Sequence, residues 1–131
     1  MHNINIPSGW PVFDGQIATY WFEEGILVSF SKAVKRTVEN ISDNVNFVKG
    51  LTGGARVPVL IYITKSPIPD KATRRLSAEM LPVNYKAMAI ISEPGLAQLI
   101  LKLVFRLKPS PIPVKSFVND REAKQWLKQF L

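Results

Sequence analysis

This sequence predicts an α/β fold, with a mixed sheet of about five strands and about four covering helices. Three observations carry that prediction. The stretch Val57-Pro58-Val59-Leu60-Ile61-Tyr62-Ile63 is almost wholly apolar and rich in β-branched residues, and a run without polar alternation reads as a strand buried on both faces. Upstream, Ile17 to Phe22 and Ile26 to Phe30 flank Glu23-Glu24-Gly25, which is a hairpin signal. Elsewhere the apolar residues shift to helical spacing, and strands alternating with helices imply right-handed crossovers and parallel neighbours. The expected sheet is an N-terminal antiparallel hairpin followed by parallel strands.

Taken in order, residues 1–16 hold Pro7, Gly9, Pro11 and Gly15 and read as an irregular arm, pinned to the body by Trp10 and Phe13. Residues 17–131 form a single domain, a length that can bury a real core. After the hairpin, Val34, Val38, Ile41, Val45 and Val48 are spaced 4, 3, 4, 3, which predicts one helical stripe over Lys32 to Leu51. Valine and asparagine are poor helix formers, but packing of an apolar face outweighs a few tenths of a kcal/mol per residue. Gly50 and Gly53-Gly54 end this helix; glycines after a helix are a C-cap signal, whereas a phosphate loop needs them before one. The central strand follows, then a loop with two prolines. Asp70 is suited to cap a helix through about Met80, with Pro82 breaking it. Tyr85 to Ile91 is the next strand. Glu93-Pro94 opens an apolar helix over Leu96 to Leu107, ended by Pro109, Pro111 and Pro113. Val114 to Val118 is a final strand. Asn119, with Glu122 three residues on, begins a last helix that buries Ala123, Trp126, Leu127 and Phe130.

Composition excludes several function classes. There is no cysteine, so disulfides and thiolate metal sites are ruled out. The only histidine is His2, which leaves the body of the protein without the usual base for a serine nucleophile. Glu23 and Glu24 sit side by side in a turn, where neighbouring side chains point apart, and no acidic cluster has metal-ligand spacing. The expectation is a protein that is not an enzyme and has no metal or other cofactor. No apolar run reaches the ~20 residues of a membrane span, and the N-terminus lacks a secretory pattern, so a cytoplasmic location is expected. The net charge is +7, but Lys35-Arg36 and Arg74-Arg75 are the only adjacent cations. Cations so scattered read as a solubilising surface and disfavour nucleic acid as a partner.

Three pieces of the chain resemble the SpoIIAA-like domains, small bacterial α/β proteins related in fold to STAS domains and likened to CRAL-TRIO lipid carriers. They are Leu51-Thr52-Gly53-Gly54 leading into Val57-Pro58-Val59-Leu60-Ile61; Ser92-Glu93-Pro94-Gly95-Leu96 leading into an apolar helix; and Pro113-Val114-Lys115-Ser116-Phe117 followed by Glu122-Ala123-Lys124-Gln125-Trp126-Leu127. The resemblance spans roughly Ile17 to Leu131. It implies a regulatory, partner-binding or apolar-ligand role without catalysis. It also implies a candidate phospho-switch at Ser66, the one serine of the loop Thr64 to Asp70, although the Asp-Ser-x-Gly pattern of STAS antagonists is missing there.

The residues themselves point to the helix from Leu96 to Leu107. At 100° per residue, Leu96, Leu99, Ile100, Leu103, Val104 and Leu107 share the face expected in the core. Leu101 and Phe105 fall on the other side, flanked by Lys102 and Arg106. An apolar ridge among cations is either covered by a neighbouring element within the monomer or suits a contact with a protein partner, with a second copy of the chain as a homodimer, or with an anionic membrane surface. The preferred expectation is an interaction domain that binds a protein or itself through Leu101, Lys102, Phe105 and Arg106. The alternative is a carrier or sensor of a lipid or other small apolar ligand, with this helix as a lid and with peripheral membrane contact.

Overall fold

The computed structural model describes residues 11–93, 95–104 and 110–131. Among the described residues, six strands form one sheet in the order of the chain: β1 (Phe13–Asp14), β2 (Ala18–Glu23), β3 (Ile26–Ser31), β4 (Val57–Tyr62), β5 (Tyr85–Ile91) and β6 (Val114–Phe117). The first three pair antiparallel and the last four pair parallel. The sheet is thus mixed, as expected, with one strand more than expected. The extra strand comes from the presumed irregular arm, where Phe13 pairs with Tyr20 and Asp14 with Thr19. Trp10 lies outside the described residues.

The hairpin link is two residues, not three, because Glu23 still pairs with Ile26. Glu24 and Gly25 both have positive φ, 52° and 84°, the backbone of a tight turn whose twist matches its strands. Pro58 sits in the central strand without an N–H to give. A register shift falls between Val57 and Pro58, where Tyr85 and Ala87 of β5 oppose consecutive residues. An irregularity of this kind is how a sheet interior accommodates proline.

Between the parallel strands run α1 (Val38–Thr52), α2 (Lys71–Asn84) and α3 (Leu96–Val104), and α4 (Asp120–Leu127) follows β6. The first three helices touch in sequence along one face of the sheet, while α4 packs on β4, β5 and β6. Two cores result. On the α1–α3 face, Tyr20, Leu27, Val59 and Ile90 meet Val48 and Leu81. On the α4 face, Trp21, Val28, Leu60 and Ile91 meet Ala123 and Leu127. Strand alternation sends successive residues of β2, β3 and β4 to opposite cores.

Two helix boundaries differ from expectation. The helix expected from Lys32 begins only at Val38, because Thr37 accepts from Asn40 N–H while the Asn40 side chain accepts from Thr37 N–H. That capping box outcompetes the valine stripe, whose upstream members Val34 and Val38 are 38% and 46% exposed. Replacing Thr37 with alanine should lower stability by about 1 kcal/mol, measurable as a shift in the urea midpoint at unchanged slope. The second difference is Pro82, which lies inside α2 and does not end it at Met80. Its missing N–H falls within the last turn, so one hydrogen bond is lost, and Tyr85 N–H closes the helix on the Leu81 carbonyl. Asp70 caps α2 and Asn119 caps α4 at the expected places.

Candidate functional site

The α1–α3 face does not close fully on the sheet. A cavity of about 390 Å³ lies between the helices and the sheet, within the size range of small-molecule sites. Its apolar wall includes Ile41 and Val45 of α1, Met80 of α2, Met88 and Ile90 of β5, and Leu99 of α3. Its rim includes Ser31, the last residue of β3, and Thr64 to Pro69, beyond the carboxyl end of β4. Thr64 donates to the Ser31 carbonyl and fixes the rim loop to the neighbouring strand end.

Polar groups gather at one part of the wall. Tyr20 points from β2 to this face because it alternates with Trp21, and its hydroxyl accepts from Asn44 Nδ2 of α1 at 2.8 Å. Burial holds the Tyr20 phenol above its ordinary pKa, against the hydrogen bonds from Asn44 and Ser29. Tyr85 is raised further, first by burial and then by Tyr20 beside it. Asn84, the last residue of α2, donates to the Val45 carbonyl, while its buried Oδ1 has no protein partner among the described residues.

Arg36 supplies a charge to the same wall. It follows β3 on the segment that leads into α1. Its Nη1 donates to the carbonyls of Lys32 and Val34 at 2.6 and 2.7 Å, and its Nη2 donates to the Ile17 carbonyl at 3.0 Å. Lys65 and Arg74 also line the cavity, and no aspartate or glutamate stands among the described lining residues.

The sequence-predicted site residues are placed as follows. Leu101 is not on an outward ridge: it is half-buried, packs against the α1–α3 core and lines the cavity. Leu99, expected in the core, is 44% exposed at the cavity wall. At Leu99 and Leu101 the structure therefore departs from the face drawn from spacing alone. Lys102 is exposed. Phe105 and Arg106 lie outside the described residues. Ser66 lines the cavity from the rim loop, half-buried beside Lys65. Tyr20, Asn44, Asn84 and Arg36 were not singled out from the sequence. Strand alternation in β2 held a signal for Tyr20, whereas Arg36 looked like any surface cation.

Residues 20–131 match the family described as a domain of unknown function, DUF7793. The chain belongs to that family. Its fold is also that of a crystal structure of an uncharacterised DUF3478 protein with a SpoIIAA-like fold from Shewanella loihica PV-4. The likeness covers 97% of this chain and 99% of that one, at a TM-score of 0.55 and 19% identity. At that identity the likeness shows the fold alone, and it agrees with the SpoIIAA-like resemblance drawn from the sequence. No curated protein matches the chain. Among the described residues, no helix is long and apolar enough to cross a membrane.

Proposed function

We propose that this DUF7793 domain is a non-enzymatic binding module that holds a small, largely apolar ligand between its sheet and helices α1–α3. The observation that supports this reading is the cavity of about 390 Å³, walled mostly by aliphatic side chains and methionine with a few convergent polar groups. A cavity of this size has an energetic meaning. Aliphatic walls left without contact atoms forgo dispersion and transfer energy, and a ligand that fills the space recovers both. The inward turn of Leu101 favours this carrier or sensor reading over a partner contact through that residue. The position of Leu99 at the exposed edge of the same wall gives α3 the place of a cover for the ligand.

The test uses a neutral fluorescent probe, N-phenyl-1-naphthylamine. Saturable, one-to-one enhancement is expected. Replacing Ser77, a small half-buried residue of the cavity wall, with tryptophan should fill the space and abolish the enhancement while the circular dichroism spectrum is retained. Unsaturable enhancement, or enhancement untouched by Ser77→Trp in a folded variant, sinks the proposal.

A further inference from the structure

We infer that the cavity selects an amphipathic anion, with an alkyl chain along the aliphatic wall and a carboxylate or phosphate oxygen at the Arg36 guanidinium. This rests on the reading of the cavity as a ligand site and adds to it the chemical class of the ligand. Three observations carry it.

The first is the charge of the lining. Arg36, Lys65 and Arg74 face the cavity, and the described lining residues include no carboxylate. The protein carries ten acidic residues, yet none of them stands among the described residues of this wall.

The second is the difference between the two arginines. Arg74 is within electrostatic reach of Asp70 one turn earlier and donates to the Pro69 carbonyl at 2.7 Å. Arg36 has no carboxylate within ion-pair distance among the described residues. Its bonds run to three neutral carbonyls, those of Ile17, Lys32 and Val34. A guanidinium has five N–H donors and cannot lose its charge, so two donors and the whole charge remain. Charges drawn out of water are normally paired, and this one is half-buried without such a pair.

The third is preorganisation. The three carbonyls belong to Ile17, just before β2, and to Lys32 and Val34 on the segment between β3 and α1, which fixes the guanidinium before any ligand arrives. Fixed donors lose little entropy on binding, and the planar fork suits carboxylate and phosphate oxygens. The Tyr20 hydroxyl, close enough to Arg36 to feel its charge, adds a polar neighbour for a head group. The aliphatic part of the wall suits a chain.

The probes are decanoate, decanol, decyl phosphate and acetate, each titrated by calorimetry into the full chain. Decanoate or decyl phosphate should bind roughly 10- to 100-fold more tightly than decanol, the range for a charge-assisted hydrogen bond. The tighter of the two anions identifies the head group. Acetate should not compete, because the chain carries most of the contact. Arg36→Met should remove the preference and leave decanol binding within about twofold. Arg36 also ties backbone segments together, so Arg36→Lys is the second variant, expected to keep part of the preference if folded. The comparison of decanoate with decanol on the unaltered protein needs no variant. Equal affinity for decanoate and decanol overturns the charge selection while leaving the apolar-ligand reading intact. Binding of neither, with no saturable response from the neutral probe, overturns both. Competition by acetate at matched concentration overturns the amphiphile. A preference that survives Arg36→Met in a folded protein overturns the assignment to Arg36.

Discussion

Trp21→Ala is expected to cost about 3–5 kcal/mol of folding free energy. Trp21 is 1% exposed and sits at the centre of the α4-face core, among Ile26, Val28, Leu60 and Leu127. No side chain in this core is larger. Its indole N–H donates to Glu23 Oε2 at 2.8 Å, while Glu23 Oε1 receives Lys124 of α4 at 2.8 Å. The ring therefore fills the space under α4 and also orients the carboxylate that ties α4 to the hairpin. Alanine leaves a void and one unmet acceptor oxygen. Domains of this size hold a total of about 5–15 kcal/mol, so the variant should be partly unfolded at ambient temperature or have a greatly reduced urea midpoint. Trp21→Phe keeps most of the buried area and should cost less than half as much. A loss under about 1 kcal/mol for Trp21→Ala would mean that α4 does not pack on the sheet as described.

The α4 face is also the part of the fold that could be read from residues alone. Ala123, Trp126, Leu127 and Phe130 are spaced for one helix face, Asn119 caps it, and all four reach the core or its margin. Strands β4 and β5 were equally legible, because burial on both faces removes the polar alternation that could have disguised them. The hairpin was legible for the opposite reason, a glycine where a turn needs positive φ. Errors came where two local signals competed. The valines at 34 and 38 matched the helical period, but the Thr37 and Asn40 side chains decided the start of α1. Pro82 signalled a break, yet one missing N–H near the end of α2 is tolerated.

The candidate site was far less legible than the fold. A cavity forms where three helices fail to meet a sheet, and that gap is a property of packing volumes with no local sequence signature. Arg36 illustrates this. Its adjacent partner Lys35 made it look like a surface pair, and only the return of the chain past Ile17 draws its guanidinium inward. Leu101 illustrates the limit of spacing arguments: the helical period put it on the outer side of α3, yet it packs against the core, while Leu99, expected inside, is 44% exposed.

Alkali should unfold this protein through its tyrosines. The sequence has three, Tyr20, Tyr62 and Tyr85, and all three are buried. Burial raises the pKa of each in the fold. Asp120, which accepts from the Tyr62 hydroxyl at 3.3 Å, adds to the effect at Tyr62, and Tyr20 adds to it at Tyr85. The ionised form is the one the fold disfavours. The stabilisation is therefore fully present below the unfolded-state pKa near 10 and is lost as pH rises toward the folded-state values. Each tyrosine lowers stability by about 1.4 kcal/mol per pH unit, from about pH 10 up to its own folded-state pKa and no further. Phenolate absorbance and far-ultraviolet circular dichroism, followed together, should change in one coincident step above pH 10. Tyr85→Phe removes one titrating group and one buried hydroxyl and should move that step to higher pH. Tyrosines that ionise near pH 10 while the circular dichroism stays native would show that the phenols reach water, and with it that the β2–α1 contact over Tyr20 and Asn44 is open.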